Sequence, residues 1–291
     1  VPCQSAEKPR KAQAVYTFSS LIGRSEEFTE AIENAKRAAK GLGNVLILGE
    51  SGTGKELVAQ AIHEASPRNT GPFIPLNCAA IPKELISSEL MGYEDGAFTG
   101  AKRGGQAGKF ELANGGTIFL DEIAEMPMDM QCSLLRILED RVVCRIGGSK
   151  YHPVNVRIVA ATNRDLWKCV QRGTFRLDLY FRLNVIRIEL PPLRDRTGDI
   201  DILVPYLLER AARKNRVPMV AISGEVMELF RRYYWPGNVR ELKNVVEKCA
   251  VMTTSDTVTL ENLPKDVLRQ LSSSGPGAGY DPAAFTGGFS P

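Results

Sequence analysis

The stretch GESGTGKE, residues 49–56, decides the fold, and it directly follows the apolar run VLIL at residues 45–48. Gly49, Gly54 and Lys55 match the spacing G-x-x-x-x-G-K, and a helical pattern begins at Glu56. A strand, a glycine-rich turn and a helix in this order direct backbone N–H groups and a helix N-terminus at a phosphate. The stretch therefore predicts a phosphate-binding loop in which Lys55 reaches the β- and γ-phosphates of a nucleotide. The predicted contacts are Gly49, Glu50, Ser51, Gly52, Thr53, Gly54, Lys55 and Glu56.

One position of this loop departs from the usual pattern. Glu56 stands where a serine or threonine would offer a hydroxyl that helps to hold Mg²⁺. The alternative is a glycine-rich turn that binds no ligand. The apolar strand before the loop and the helix after it favour the phosphate-binding interpretation.

Four further apolar runs alternate with helical patterns along the first two thirds of the chain. They are residues 73–76, 117–120, 156–159 and 185–188. Runs that are apolar almost throughout are typical of parallel strands covered on both faces. Together with residues 45–48 they predict an α/β fold, with a parallel five-stranded sheet between layers of helices.

The pattern changes after Leu190, where Pro191-Pro192 interrupts the chain. The following patterns are helical only, at about 199–214, 223–232 and 238–252, and they predict a small all-α domain. We therefore expect four segments. These are a linker at 1–15, the α/β core at 16–190, a helical lid at 191–271 and a disordered tail at 272–291.

Composition excludes several classes of protein. The net charge is +3, from 37 basic and 34 acidic residues, which is too small to indicate nucleic-acid binding by bulk charge. The six cysteines include no Cys-x-x-Cys pair, which is typical of buried free thiols in a reducing compartment. No apolar run approaches the roughly 20 residues of a membrane span. We therefore expect a cytoplasmic protein.

A second motif, GGTIFLDEI at residues 115–123, ends a predicted strand in two carboxylates. Asp121 is placed to hold Mg²⁺ directly or through water, and Glu122 to orient and polarise an attacking water. Asn163 ends the next strand, where its amide would lie beside Asp121 and sense the γ-phosphate or the water. The alternatives are an ordinary strand end for the carboxylates and a helix N-cap for Asn163.

Three arginines lie in distinctive surroundings: Arg176 and Arg182 within FRLDLYFRLN, and Arg240 within WPGNVREL. Each fits either a surface salt bridge or an arginine finger that stabilises charge on a transferring phosphoryl group.

The segment GAFTGA at residues 96–101 is uncharged, flanked by glycines and carries one aromatic residue. It fits equally a flexible loop whose phenylalanine returns to the core and a mobile loop that presents Phe98 and Thr99 to a partner. In the second interpretation the partner-binding residues are Gly96, Ala97, Phe98, Thr99, Gly100 and Ala101.

With these motifs the chain resembles the central AAA+ domain of bacterial enhancer-binding proteins, the activators of sigma-54 RNA polymerase. The resemblance covers about residues 16–265. Its motifs are GESGTGKE (49–56), GAFTGA (96–101), GGTIFLDEI (115–123), AATN (160–163), FRLDLYFRLNV (175–185) and WPGNVRELKN (235–244). It implies a hexameric ring with ATP between subunits, in which hydrolysis moves the GAFTGA loop against the sigma factor and opens the promoter complex.

The resemblance also implies a role for each matching residue. Lys55 binds phosphate, Asp121 holds Mg²⁺ and Glu122 activates water, while glutamate is usual at the position of Glu56. The resemblance further implies that Asn77 holds Glu122 in an inactive position and that Asn163 is the first sensor. Arg176 and Arg182 would be arginine fingers for the neighbouring subunit, and Arg240 would be the second sensor. Leu21-Ile22-Gly23 would pack on adenine, and residues 142–153, with Gly147-Gly148 at the turn, would form a second moving loop.

Some features depart from the family pattern. Residues 91–95 read MGYED where FGHEK is expected, so Asp95 changes the charge beside the GAFTGA loop. The short leading segment and the Gly- and Pro-rich tail fit neither a sensory domain nor a helix-turn-helix, so we expect no DNA-binding domain within this chain. Two other functions stay open: another AAA+ remodelling or chelatase-type ATPase, and a nucleotide-gated binding module that does not hydrolyse.

Overall fold

The structure is a computed structural model that describes residues 14–98 and 102–272. The described chain separates into two compact units. The first contains the residues up to Leu21 together with Glu27–Pro191, and the second contains Ile22–Glu26 and the residues from Pro192 onward. The expected disordered tail lies outside the described residues except for Ser272, and so does most of the expected linker.

The first unit alternates strands with helices. Its strands are β1 (Val45–Leu48), β2 (Phe73–Asn77), β3 (Gly92–Tyr93), β4 (Gln106–Ala107), β5 (Thr117–Asp121), β6 (Val142–Cys144), β7 (Tyr151–Pro153), β8 (Arg157–Thr162) and β9 (Ile186–Glu189). Its helices are α1 (Glu26–Lys40), α2 (Lys55–Glu64), α3 (Lys83–Met91), α4 (Lys109–Leu112), α5 (Met128–Asp140), α6 (Leu166–Gln171) and α7 (Leu177–Leu183).

Five of these strands form one parallel sheet in the order β2-β5-β8-β1-β9, which confirms the predicted fold class. Successive side chains enter different cores on the two faces of the sheet. Ile118 and Ile158 belong to one apolar cluster, whereas Phe119 and Val159 belong to another. Both faces are therefore buried by helices, and this explains why the strands read as continuous apolar runs.

The second unit is mainly helical, with α8 (Ile200–Asn215), α9 (Gly224–Arg232), α10 (Asn238–Met252) and α11 (Lys265–Ser272). It also contains one short parallel pair, β10 (Ala221–Ile222) and β11 (Thr257–Val258), which the sequence analysis did not predict. Strands of two residues leave no period to detect. The core of the unit is built around fully buried Trp235, whose indole N–H donates to the Phe230 carbonyl at 2.7 Å.

Along the described ranges, no helix combines the length and the apolar content that crossing a membrane requires.

A buried arginine closes the end of α1 in the first unit. Arg157, 1% exposed at the start of β8, donates to the carbonyls of Ala38 at 2.7 Å and Gly43 at 3.2 Å. The last carbonyls of a helix have no partner within the helix, so the guanidinium replaces hydrogen bonds that would otherwise be missing. Burial lowers the pKa of Arg157 to about 10, still well above neutral pH, so the side chain stays charged.

We predict that Arg157→Met lowers the free energy of unfolding by about 2–4 kcal/mol, because buried carbonyls lose charged donors. Urea unfolding followed by far-UV circular dichroism measures the change. Arg37→Met, which removes an exposed arginine of α1, is the control and should change stability by no more than about 0.5 kcal/mol. Equal effects of the two substitutions would contradict the capping role.

Candidate functional site

Three segments that follow parallel strands meet at one edge of the sheet. Leu48 at the end of β1 lies opposite Thr162 at the end of β8, and the Gly49 N–H donates to the Thr162 carbonyl at 3.3 Å. In β5, Leu120 lies opposite Ala160 of β8. The carboxyl ends of parallel strands share an edge, so the loops after β1, β5 and β8 are brought together, as expected for a nucleotide site in an α/β fold.

The loop after β1 is tight and glycine-dependent. Gly54 precedes α2 with a φ of 102°, which strongly favours glycine, and it supplies no side chain to cap the helix. A side chain at Gly49 would lie 3.1 Å from the Leu190 carbonyl oxygen. Within the loop, the Thr53 hydroxyl donates to the Glu50 carbonyl at 2.8 Å. The first N–H groups of α2 have no carbonyl partners within the helix, so the loop has the form that binds a phosphate.

The ammonium of Lys55 lies inside this loop, with only 7% of its side chain exposed. Its Nζ donates to the carbonyls of Gly49 at 2.8 Å and Glu50 at 3.1 Å. The same Nζ lies 3.8 Å from Oε1 of Glu122. A buried cation between loop carbonyls and a carboxylate is held where it can exchange those partners for phosphate oxygens.

The two carboxylates follow one another in unlike backbone conformations. Asp121 ends β5, and its Oδ1 accepts from the Glu122 N–H at 3.0 Å. Glu122 has φ 49° and ψ 49°, the left-handed region that few residues other than glycine adopt. Its Oε2 accepts from the Asn163 N–H at 3.3 Å. A glutamate in this unfavourable backbone conformation indicates that the placement of its carboxylate is functionally important.

Asn77 lies opposite Asp121 in the pairing of β2 with β5. Its side-chain oxygen accepts from the N–H groups of Ala79 at 2.9 Å and Ala80 at 3.2 Å. The Glu122 carboxylate, by contrast, faces Lys55 and the backbone of Asn163. The switch role implied for Asn77 stays a prediction.

The two arginines of the 175–185 segment lie at different places. Arg176 makes a bidentate pair with Asp178, at 3.0 and 2.6 Å, and its Nη1 lies 3.1 Å from the Cys132 sulfur. Arg182 lies beside the amino end of β1, since its carbonyl accepts from the Asn44 side chain at 2.9 Å.

The position of Arg182 limits which nucleotide it can reach. The phosphate loop follows the carboxyl end of β1, whereas Asn44 precedes the amino end. The four residues of Val45–Leu48 span about 13 Å at roughly 3.3 Å per residue. The Arg182 side chain also turns toward the Leu138 carbonyl, 3.4 Å away near the end of α5. Arg182 therefore lies at the edge of the sheet opposite to the loop of its own chain.

Ile22, Gly23 and Arg240 belong to the second unit. The Ile22 carbonyl accepts from the buried Arg196 at 2.7 Å, and Arg240 is exposed in the first turn of α10. Their implied contacts with the nucleotide stay predictions.

The described part of the GAFTGA segment is Gly96, Ala97 and Phe98, while Thr99, Gly100 and Ala101 lie outside the described residues. The Phe98 side chain is 42% exposed, and its ring packs edge-on against Tyr93 at a centroid distance of 5.0 Å.

The hairpin β6–β7 is attached to the base of this segment. Ile146 in its turn exchanges backbone hydrogen bonds of 3.0 Å with Gly92 and Glu94. Arg145 makes a bidentate pair with Glu111, at 2.8 Å for both bonds, and this pairing lowers the pKa of the Glu111 carboxyl. The sequence pointed to a loop at residues 142–153 but not to the pairing of Arg145 with Glu111. Nothing in the local pattern of either residue indicates a partner 34 residues away.

Comparison with known proteins identifies the family. The sigma-54 interaction domain matches residues 21–189, and the AAA+ ATPase lid domain matches residues 194–278. The chain belongs to the sigma-54 interaction domain family. It is therefore a member of the AAA+ class of P-loop NTPases, in agreement with the resemblance drawn from its motifs.

The relatives of this sigma-54 interaction domain include proteins named as transcriptional regulators. NtrC from Proteus hauseri is 48% identical over 262 residues, which cover 90% of this chain and 55% of that protein. A Nif-specific regulatory protein from Herbaspirillum seropedicae is 50% identical over 250 residues, covering 86% and 46% of the two chains. The chain spans about half the length of the curated relatives it matches.

Solved structures resemble the fold. NtrX from Brucella abortus, crystallised in complex with ATP, aligns with a TM-score of 0.78 at 36% identity, over 85% of this chain and 55% of that one. A mutant of RuvB from Thermotoga maritima aligns with a TM-score of 0.54 at 19% identity over 88% and 72% of the two chains, a likeness in fold alone.

We predict that Glu122→Gly is more stable than Glu122→Ala by about 1 kcal/mol, since only alanine carries the steric cost of the left-handed conformation. Both substitutions remove the same carboxylate, so the comparison isolates the backbone. Urea unfolding of the two variants measures the difference. An alanine variant as stable as the glycine variant would show that the backbone at 122 is unstrained.

Proposed function

We propose that this chain hydrolyses ATP and uses the energy to move its GAFTGA segment against sigma-54 in the closed RNA polymerase complex, so that transcription starts. One observation carries the proposal. A phosphate loop and two carboxylates share one sheet edge, in a chain that also carries the GAFTGA segment of the sigma-54 interaction family.

The loop residues Gly49 to Glu56 would hold the phosphates of ATP, with Lys55 at the β- and γ-phosphates. The described residues contain no group of three or more His, Cys, Asp or Glu side chains placed to hold a metal ion. Mg²⁺ in such sites uses one or two carboxylates and takes its other ligands from phosphates and water, so Asp121 fits that part. Bound Mg²⁺ would neutralise charge that develops on the phosphates. The resemblance adds Ile22 and Gly23 at adenine and Arg240 as second sensor.

Glu122 would orient and polarise the attacking water. Its carboxylate faces Lys55 at 3.8 Å. When Lys55 turns to a phosphate, that carboxylate loses its cationic partner and becomes available to the water. Asn163, which follows the neighbouring strand β8, would act beside Glu122 as the first sensor. Asn77 would hold Glu122 in an alternative position.

A neighbouring subunit would complete the site. Arg182 lies at the sheet edge opposite to its own phosphate loop, which supports action on another subunit's nucleotide. Arg176 is half-exposed and faces Asp178, so it too is placed on the surface. A head-to-tail interface that shares a site closes into a ring when the rotation allows it, and we propose a hexamer.

The GAFTGA segment and the β6–β7 hairpin would transmit the movement driven by hydrolysis to sigma-54. The turn of the β6–β7 hairpin is bonded to Gly92 and Glu94, directly before GAFTGA, so the two loops are expected to move together. Phe98 is an exposed aromatic residue within the GAFTGA segment, and we expect it to be an anchor for sigma-54. The family match favours this partner over the substrates of other AAA+ remodelling enzymes or chelatases. Glu122 and the two arginines favour turnover over a binding module that does not hydrolyse.

We predict that the chain retains sigma-54 in the presence of ADP and aluminium fluoride, which mimic the transition state, and that Phe98→Ala weakens this retention by about thirtyfold, since it removes an aromatic anchor. Size-exclusion chromatography or fluorescence anisotropy with labelled sigma-54 measures the effect.

The control for Phe98 is Leu42→Ala, which truncates another exposed apolar residue of the same unit, 56% exposed and outside the loops. Its retention of sigma-54 should equal that of the unaltered chain. If the unaltered chain never retains sigma-54, or Phe98→Ala retains it equally well, the proposed partner or the proposed anchor is wrong.

We predict that ATP turnover per subunit rises with protein concentration, and that Arg182→Ala lowers the turnover of the assembled protein by about 10³, as removal of an arginine finger does elsewhere. The control is Arg187→Ala on β9, whose exposed guanidinium pairs with Glu189 at 2.5 Å; it should change turnover little. Turnover that is independent of concentration, and equal in Arg182→Ala and the unaltered chain, would contradict action between subunits.

A further inference from the structure

A fully buried glutamine lies between the carboxylate segment and the first arginine. Gln131, in the first turn of α5, has 0% exposure in the core of the first unit. A buried side-chain amide must find partners, because each unsatisfied donor or acceptor costs free energy. The partners of the Gln131 amide therefore show which backbone segments are fixed at this point of the core.

The partners of Gln131 lie in two segments, one just before α5 and one 43–45 residues further along the chain. Its Nε2 donates to the carbonyls of Met126 at 2.9 Å and Thr174 at 3.1 Å. Its Oε1 accepts from the backbone N–H of Arg176 at 2.8 Å. Met126 directly follows the short helical turn Ile123–Glu125, and so lies close behind Glu122 in the chain. One amide thus joins the segment after the carboxylates to the segment that carries Arg176.

The backbone N–H of Arg176 donates to this buried amide at the start of α7. Arg176 is the N-cap residue of α7, and its side chain makes no capping hydrogen bond. Gln131 therefore takes the part of an external support that fixes the start of the helix. The guanidinium itself is held differently, by half-exposed Asp178 and by the sulfur of Cys132. Solvent-exposed partners exchange readily, whereas three hydrogen bonds of a buried amide do not.

We infer that Gln131 is a positioning residue for Arg176: it fixes the backbone from which the guanidinium reaches the nucleotide of a neighbouring subunit. This inference rests on the proposed action of Arg176 between subunits. Gln131 lies outside the motifs from which the site was predicted. Its contact concerns the backbone of Arg176, whereas the guanidinium has other partners. The backbone is fixed from within the core, and the side chain is free to exchange Asp178 for a phosphate.

The test uses Gln131→Met, which has similar length and no hydrogen-bonding amide. We expect nucleotide affinity, measured with a fluorescent ATP analogue, to stay within about threefold, because the phosphate loop is unaltered. We expect ATP turnover to fall about tenfold to a hundredfold, as displacement of a reacting group by about 1 Å does.

Mixing distinguishes a misplaced arginine from a damaged site. Lys55→Ala subunits have a disabled phosphate loop but a normally placed Arg176. Added to Gln131→Met subunits, they should restore turnover, because an intact loop receives a normally placed arginine wherever its neighbour is a Lys55→Ala subunit. The reference experiment mixes Arg176→Ala subunits with Lys55→Ala subunits. It measures how much turnover returns when the guanidinium alone has been removed.

The matched control is Thr117→Val, which removes another fully buried hydrogen bond of the same unit, between Thr117 and Nδ1 of His63 at 2.9 Å. It should leave turnover near that of the unaltered chain. Thermal unfolding of each variant checks folding. If Gln131→Met does not fold, Gln131→Asn, which keeps an amide but sets it back from the Arg176 N–H, is mixed in the same way and should show a loss of turnover with the same recovery.

Each outcome decides the inference. Loss of turnover in Gln131→Met with recovery on mixing supports it. Unchanged turnover, or a loss that mixing does not restore although Arg176→Ala is restored, overturns it and leaves the proposed function intact. Failure of Arg176→Ala itself to recover on mixing rejects action between subunits, and the inference falls with it.

Discussion

The parallel register of three strands is the constraint on which the site depends. Leu48 lies opposite Thr162, and Leu120 lies opposite Ala160, so the loops after β1, β5 and β8 emerge side by side. That register places Lys55 3.8 Å from Glu122 and brings the Asn163 N–H to the same carboxylate. A shift by one residue would turn every strand side chain to the other face and separate these groups.

The same sheet divides the chemistry between its two edges. The carboxyl edge carries the phosphate loop and the carboxylates, whereas Arg182 lies near the amino end of β1, beside Asn44. A chain built in this way offers a binding site at one edge and a cation at the other. Assembly of copies around a ring brings the two together, so that in the proposed mechanism hydrolysis depends on a neighbour. The loops that would meet sigma-54 are joined to each other through the backbone of Ile146, which bonds to Gly92 and Glu94, and through Arg145, whose Nη1 lies 3.5 Å from Oε1 of Glu94.

Sequence reasoning predicted what local pattern determines. The five strands of the large sheet were predicted because their apolar runs are buried on both faces, and the phosphate loop because glycine spacing reports backbone geometry directly. The short pairs β3–β4, β6–β7 and β10–β11 were not predicted, because strands of two or three residues are too short to show a period. Gln131 and Arg145 were missed for another reason. Each has partners in another segment of the chain, 34 residues away for Arg145 and 43–45 residues away for Gln131, and such pairings follow from the fold rather than from neighbouring residues.

The proposed role of Glu122 is to turn a nucleotide-binding edge into a hydrolytic one. It is tested most directly by measuring nucleotide affinity and ATP turnover on the same preparation of Glu122→Gln, which keeps the size of the side chain and removes its charge. If Glu122 has this role, nucleotide affinity stays within about threefold of the unaltered chain and turnover falls by about 10²–10⁴, the contribution typical of a positioned general base. Turnover equal to that of the unaltered chain would contradict it.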